Sequence, residues 1–217
     1  MISIDYSEFW EKSWNGEDKD DLFKWLKGWR NIQSADIEFL KKNGVKTVCD
    51  AACGFGAHTV ALASNGFLVS AFDVSLRAVE LTREGLANLG LSGIEVKTAD
   101  ILNTGYANNA FDAVTAYAVL DHLTDADART AIEELLRIVK PEGLILVSFD
   151  KPSDEDYQCP HDILEDGSML YTDGEGYKGM IFRPYDDARI DSLFGGYNVV
   201  FRETDMKGNR IIGVRPR

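Results

Sequence analysis

The segment DAACGFGAHT, residues 50–59, combines residue types that could do chemistry. Its two glycines lie one residue apart, and glycine lets another group approach the backbone closely. Cys53 and His58 could ligate a metal together with Cys49, but their spacing matches neither a CxxC nor an HExxH arrangement. We therefore predict no metal site. The segment is either a tight turn with buried cysteines or a cradle for a nucleotide-like ligand.

Three carboxylates end predicted strands around this segment. Asp50 ends the first strand, Asp73 the second and Asp100 the third. Ligands of open parallel sheets bind outside the carboxyl ends of the strands, so we expect the three to converge on one rim. Asp73 is placed to accept hydrogen bonds from a ribose diol, and Asp100 to bind the exocyclic amine of an adenine. The alternative is that all three are helix caps and solvated turn residues.

Strand and helix patterns alternate along most of the chain. Parallel strands are predicted at 45–51, 67–73, 94–100, 111–117 and 144–150, with helices near 56–65, 75–89 and 125–139. Segments 197–205 and 209–217 flank a polar turn and predict an antiparallel hairpin. The fold class is therefore α/β, a Rossmann-like, seven-stranded, mostly parallel sheet with a C-terminal antiparallel hairpin and helices on both faces.

We expect one domain over residues 1–217. A helical cap with four tryptophans occupies residues 1–43, and a cofactor-binding core occupies 44–150. Residues 151–184 form a long insertion, which in a compact domain is usually a functional loop or lid. The last helix and the terminal hairpin occupy 185–217.

Composition limits the partners. The net charge of −13 repels phosphate backbones and anionic lipid, so we expect a small-molecule partner, neither nucleic acid nor membrane. No apolar run reaches about 18 residues, and the N-terminus lacks the features of a signal peptide. Together with three unpaired cysteines, this predicts a cytoplasmic protein. The oligomeric state, monomer or homodimer, stays open.

The loop DAACGFG, residues 50–56, resembles the D-x-G-x-G-x-G loop of class I S-adenosylmethionine-dependent methyltransferases. Four further segments are similar to motifs of that family: 69–75, Asp100-Ile101, 111–125 and 140–149. Ala52 replaces the first glycine, as in glycine N-methyltransferase and its small-amine relatives. The resemblance covers about residues 45–150 and implies S-adenosylmethionine as cofactor and methyl transfer to a small acceptor.

The resemblance implies roles around the loop. Ala52, Gly54 and Gly56 would shape it around the methionine part and the ribose, above Asp50. Ala52 and Ala116 would present carbonyl groups to the amino group of the cofactor.

On the adenosine side the resemblance implies four contacts. Asp73 would take the ribose hydroxyls, and Val74 would pack on the adenine. Asp100 and Ile101 would bind the edge of the adenine ring.

The acceptor side is predicted at the end of the fourth strand. Tyr117 and His122 are the candidate catalytic residues, because histidine can act as a base near neutral pH; packed core or loop roles are the alternative for both. Trp14, with Trp10, could close over a cation by a cation–π contact or pack within the helices. Arg30 could pair with the carboxylate of the cofactor or be solvated.

Two other functions remain open. A nicotinamide-dependent oxidoreductase would need pyrophosphate recognition, but Thr59 stands where the third glycine of that motif would lie. A non-catalytic S-adenosylmethionine-binding protein would keep the cofactor rim and lack an acceptor pocket.

Overall fold

The computed structural model describes residues 5–216. Its helices are α1 Tyr6–Gly16, α2 Lys19–Trp29, α3 Ala35–Lys42, α4 Ala57–Ser64, α5 Leu76–Asn88, α6 Asp125–Ile138, α7 Asp154–Gln158 and α8 Asp187–Phe194, with a 3₁₀ turn at Leu120–His122. Its strands are β1 Thr47–Ala51, β2 Leu68–Asp73, β3 Glu95–Thr98, β4 Phe111–Ala116, β5 Val139–Phe149, β6 His161–Ile163, β7 Met169–Tyr171, β8 Ile181–Phe182, β9 Asn198–Thr204 and β10 Arg210–Arg215. Within residues 5–216, no helix has the length and apolar character needed to cross a bilayer.

Seven strands form the main sheet in the order β3-β2-β1-β4-β5-β10-β9. The first five strands of this order are parallel, and β10 pairs antiparallel with both β5 and β9. This confirms the predicted fold class. The chain leaves β1 toward β2 on one side and returns to β4 on the other, so a crevice opens above the carboxyl ends of β1 and β4.

Side chains explain where the elements begin and end. Ser75 caps α5 as predicted, because its hydroxyl accepts a hydrogen bond from the amide of Ala78 at 3.1 Å. Strand β5 starts at Val139, five residues before the predicted position. Val139 pairs with Phe111, and the residues around Pro141 then bulge out before Leu144 resumes the pairing with Ala113. Proline has no amide hydrogen, which suits this irregular stretch.

Two groups of elements lie outside the main sheet. Helices α1 to α3 precede β1. Residues 151–184 contain α7 and a second, three-stranded antiparallel sheet, β6-β7-β8. Strand β8 lies against the 3₁₀ turn that follows β4, since the amide of Arg183 donates to the carbonyl of Asp121 at 2.7 Å.

Asp50 lies beneath the loop after β1 and does not reach its rim. Only 2% of its surface is exposed, and its two carboxylate oxygens accept hydrogen bonds from the hydroxyls of Thr59 at 2.6 Å and Thr115 at 3.0 Å. The predicted convergence of three carboxylates on the rim is wrong for this residue. Burial raises the pKa of Asp50 to about 6, against the two hydroxyl hydrogen bonds, which lower it.

Asp50→Asn tests this assignment. A raised pKa in the folded state means that the folded protein binds the proton more tightly, so the contribution to stability is lost as pH rises from about 4 through 6. Asparagine carries no charge. As the pH rises from 4 to 7.5, the free energy of unfolding of the variant minus that of wild type should therefore increase by roughly 1–3 kcal/mol. Urea unfolding at both pH values measures this difference. The exposed Asp162→Asn serves as control, and an Asp50→Asn curve parallel to wild type would contradict the assignment.

Candidate cofactor site

A cavity of about 420 Å³ opens above the carboxyl ends of β1, β2 and β4. Its volume lies within the range of small-ligand sites. It is lined by Asp5, Tyr6, Ser7, Trp10, Trp14, Ala52, Gly54, Phe72, Asp73, Val74, Ala99, Asp100, Ile101, Leu102, Ala118, Val119, His122 and Leu123.

The loop after β1 reaches the cavity through an unusual backbone. Ala52, Gly54 and Gly56 all have positive φ angles, of 55°, 55° and 92°. A non-glycine residue rarely adopts this conformation, and Ala52 holds it at the edge of the cavity, where such strain often accompanies function. The structure thus brings Ala52 and Gly54 to the cavity as predicted.

Each glycine of the loop is required by a different neighbour. A Cβ on Gly54 would lie 2.9 Å from the ring of Trp14, on the cavity side. A Cβ on Gly56 would lie 2.8 Å from the side chain of Thr82 in α5. Gly56 does not line the cavity, and its missing side chain lets α5 pack against the loop.

Asp73 connects the loops that follow β1 and β2. Its Oδ2 accepts a hydrogen bond from the amide of Gly54 at 2.8 Å, and its Oδ1 accepts one from the amide of Ser75 at 2.9 Å. Burial raises the pKa of Asp73, and the amide hydrogen bonds oppose that shift. Each carboxylate oxygen has a second lone pair, so Asp73 can still accept from a ligand hydroxyl in the cavity that it lines.

The three residues predicted to contact the adenosine besides Asp73 all line the cavity. Val74 is half-buried, Ile101 is buried, and both line the cavity. Asp100 lies beyond the end of β3 and is exposed. Its Oδ1 accepts a hydrogen bond from the amide of Leu102 at 2.8 Å, which leaves Oδ2 for a ligand donor.

Ala116 does not line the cavity. It is fully buried in β4, paired with Val147 of β5. Two residues later, Ala118 lines the cavity with a φ of 49°, and its amide donates to the hydroxyl of Ser148 at 2.9 Å. Ala116, the predicted residue, therefore lies below the cavity in β4, because the strand ends before the chain bends toward the cavity.

Helix α1 covers the cavity. Tyr6, Trp10 and Trp14 recur every four residues, so they share one helix face, and all three line the cavity. Sequence reasoning proposed the tryptophans as a cover and missed Tyr6. The four-residue spacing was the available signal.

Two acids hold α1 in place. Glu11 accepts hydrogen bonds from the hydroxyl of Ser75 at 2.7 Å and the amide of Arg77 at 3.1 Å, at the first turn of α5. The hydrogen bond from Ser75 lowers the pKa of Glu11. At the other end, the hydroxyl of Tyr6 donates to Asp127 in α6 at 2.5 Å. Burial and this carboxylate raise the pKa of Tyr6 to about 12.

Two predicted site residues lie away from the cavity. The hydroxyl of Tyr117 donates to Asp36 of α3 at 2.5 Å, and its ring packs on His58 at 4.3 Å. Burial and Asp36 raise the pKa of Tyr117 well above its ordinary value. Arg30 is exposed at the end of α2 and does not line the cavity. The predicted catalytic role of Tyr117 and the predicted carboxylate contact of Arg30 are both corrected.

His122 lies in the 3₁₀ turn and lines the cavity as predicted. Its ring lies edge-on to Trp10 of α1, with centroids 5.0 Å apart, and tilted against Phe182 of β8 at 5.8 Å. Its Nδ1 lies 3.1 Å from the carbonyl oxygen of Ile181.

The cysteines near the loop are buried thiols. Burial raises the pKa of Cys49 and of Cys53 well above the ordinary value, which disfavours the thiolate that metals bind. Across residues 5–216, no group of three or more His, Cys, Asp or Glu residues could hold a metal ion.

The charged side chains that line the cavity are negative. Asp5, Asp73 and Asp100 contribute carboxylates, and neither lysine nor arginine is among the described residues that line the cavity. Such a lining suits hydroxyl, amine and cationic groups, and it disfavours the multiple negative charges of a pyrophosphate.

Comparison with known proteins agrees with this geometry. Residues 48–143 match a family model described as a methyltransferase domain. The tRNA (carboxymethyluridine(34)-5-O)-methyltransferase of Arabidopsis thaliana is 33% identical over 57% of this chain. The glycine/sarcosine/dimethylglycine N-methyltransferase of Actinopolyspora halophila is 31% identical over 65% of it. The chain spans only 28% and 26% of the lengths of these two relatives.

A solved structure supports the fold over a larger part of the chain. A SAM-dependent methyltransferase from Methanosarcina mazei aligns with a TM-score of 0.69 and 18% identity, covering 85% of this chain and 98% of that one. Residues 48–143 thus match a family model described as a methyltransferase domain, and the fold is that of the Methanosarcina mazei structure.

Proposed function

We propose that the protein transfers the methyl group of S-adenosylmethionine to a small-molecule acceptor, and that the acceptor is an amine. The observation that carries the proposal is the composition of the cavity lining. The cavity is lined by the loop after β1, whose backbone has positive φ angles, by Asp73, and by the aromatic side chains of helix α1. When bound, the cofactor supplies a methyl group attached to a positively charged sulfur. The sulfur leaves as a neutral thioether, so the protein does not need to protonate it. The protein has to hold both partners in line and keep water out.

The residues present fit this cofactor better than a dinucleotide. Asp73 and Asp100 accept hydrogen bonds, which suits the ribose hydroxyls and the adenine amine of both ligands. A pyrophosphate would add two negative charges to a described lining that holds three aspartates and no lysine or arginine. S-adenosylmethionine brings no phosphate to this lining.

The side chains of helix α1 at the cavity favour a catalytic function over a function limited to binding the cofactor. Trp10, Trp14 and His122 line the cavity beside the end of β4, so aromatic and imidazole groups face the space outside the adenosine contacts. Helix α1 and the insertion 151–184 would form the acceptor side. Aromatic faces and carboxylates both favour a positively charged or neutral amine.

The name of one relative supports a small-amine acceptor, and the name of another points to a nucleic-acid acceptor. One relative is named for a tRNA nucleotide and the other for glycine and its methylated forms. The net charge of −13 opposes a tRNA acceptor, because a nucleic acid is bound through its phosphates. Ala52, at the position of the first glycine of the loop, supports the small-amine group.

Calorimetry tests the cofactor. S-adenosylhomocysteine should bind the wild-type protein, and NAD should not. Asp73→Asn should weaken that binding by roughly 1–3 kcal/mol, because the amide nitrogen would face the amide hydrogen of Gly54 or Ser75 and a ligand acceptor would be lost. Asp162→Asn, on exposed β6, is the matched control. Binding of NAD alone, or unchanged affinity of Asp73→Asn, would overturn the assignment.

Gly54→Ala tests the contact between the loop and the cover. The new Cβ would lie 2.9 Å from Trp14 and should displace it, weakening S-adenosylhomocysteine binding by about tenfold or more. Gly44→Ala is the control, because its φ of 69° imposes the same backbone strain with nothing within 4 Å of the Cβ. Both variants should lose thermal stability, and only Gly54→Ala should lose affinity. Equal affinities would place Trp14 outside the site.

Transfer of a labelled methyl group tests the acceptor. The protein is incubated with S-adenosylmethionine labelled in its methyl group and with small amines, small carboxylic acids without an amine, or tRNA. We expect label in the amines and none in the other two pools. Label in tRNA would refute the acceptor class, and cofactor binding without transfer to any pool would favour the sensor.

A further inference from the structure

The insertion fixes the protonation of the His122 ring. Nδ1 of His122 lies 3.1 Å from the carbonyl oxygen of Ile181, in strand β8. A carbonyl oxygen can only accept a hydrogen bond, so Nδ1 carries the hydrogen. In a neutral imidazole the other nitrogen, Nε2, then holds the lone pair.

That lone pair is accessible. Nε2 has no hydrogen-bond partner within residues 5–216, and it is not among the side-chain atoms buried away from solvent without a partner. The ring lines the cavity, held between Trp10 at 5.0 Å and Phe182 at 5.8 Å. A nitrogen with a lone pair and a fixed ring orientation therefore belongs to a residue that lines the cavity.

Arg183 holds β8 against the turn that carries His122. It is 7% exposed, and its amide donates to the carbonyl of Asp121, the residue before His122, at 2.7 Å. Its guanidinium lies 3.2 Å from the carboxylate of Asp125 in α6 and 3.7 Å from that of Asp166. The pair with Asp125 joins the insertion to the start of α6, and the pair with Asp166 lies within the insertion.

We propose that His122 acts as a general base through Nε2, that Arg183 is the positioning residue which keeps the Ile181 carbonyl on Nδ1, and that the accepting atom carries a hydrogen, as N–H or O–H. This inference rests on the proposed methyl transfer. As the accepting atom bonds to the methyl carbon, the C–S electron pair stays with sulfur, which becomes a thioether. The hydrogen of the accepting atom passes to Nε2, and the imidazolium later releases it to solvent.

Asp121, Asp150 and Arg183 are charged residues of the segments packed around His122. Asp121 is buried, and its Oδ2 accepts a hydrogen bond from the amide of Asp150 at 2.9 Å. Asp150, after β5, is half-buried, and burial raises the pKa of both acids while His122 opposes that shift. Arg183 supplies the opposite charge from β8. Trp10, the ring contact from α1, is uncharged.

Nitrogen-15 NMR of labelled imidazoles tests the tautomer without any acceptor. The chain has three histidines, so each ring can be assigned by single replacement. With S-adenosylhomocysteine bound at pH 8, the His122 ring should show a protonated Nδ1 and an unprotonated Nε2. Arg183→Gln should shift it toward the opposite tautomer or a mixture, and Arg183→Lys should restore part of the wild-type signal.

His161 is the internal control, because its Nδ1 lies 2.7 Å from the carbonyl of Cys159. Its tautomer should be the same in wild type and Arg183→Gln, which also reports that the insertion is folded. A wild-type His122 ring protonated on Nε2, or no change on Arg183→Gln with His161 intact, would overturn the proposal.

Kinetics provides the second readout. His122→Gln should lower labelled transfer to small amines by about 100-fold or more, while binding of S-adenosylhomocysteine stays within twofold. His161→Gln should leave binding of S-adenosylhomocysteine unchanged. The acidic limb of the wild-type pH profile should disappear in His122→Gln. If S-adenosylhomocysteine fails to bind wild type, the proposed function fails; if it binds and His122→Gln transfers at the wild-type rate, only the base assignment fails.

Discussion

The carboxylate of Asp73 is the interaction on which the site depends. It accepts one amide from the loop after β1 and one from the loop after β2, so two neighbouring strand ends are joined by one buried side chain. The amide of Gly54 can reach Asp73 only because the backbone turns left-handed at Ala52 and Gly54. Ser75, the second donor, is also the residue whose hydroxyl donates to Glu11 of α1. Loop, strand end and cover are therefore connected through three consecutive hydrogen bonds.

This connection explains how a helix without buried residues can cover a cavity. No residue of α1 is fully buried, so apolar burial gives it little stability compared with the core helices. Its position depends on Glu11 at the start of α5 and on Tyr6 at the start of α6. Carboxylates stabilise helix N-termini, where amide hydrogens lack partners. The position of α1 over the cavity therefore depends on a few polar contacts more than on buried apolar surface.

The sheet and the loop could be predicted from the sequence, because their signals are local. Apolar runs mark β1 to β5, and the glycines with Asp73 mark the crevice. The failures involve contacts between distant parts of the chain. Asp50 and Asp73 have similar sequence contexts, and only the packing of Thr59 and Thr115 shows that Asp50 is buried. Tyr117 follows β4 directly, but the turn direction that sends its hydroxyl to Asp36 of α3 depends on a helix 81 residues away.

The lining of the cavity carries negative side chains only among its charged described residues, and this bears on which ligand binds more tightly. In the proposed reaction, methyl transfer would remove the positive charge of the sulfonium, so the demethylated product would carry one positive charge fewer than the cofactor. Carboxylates at Asp5, Asp73 and Asp100 attract the more positive of the two ligands, and the lining has no lysine or arginine among its described residues to offset them. If the proposed function holds, the same electrostatic arrangement would favour binding of the methyl donor and weaken retention of the demethylated product. Burial of Asp73 strengthens this preference, because a carboxylate away from water interacts with a nearby charge at a lower effective dielectric constant.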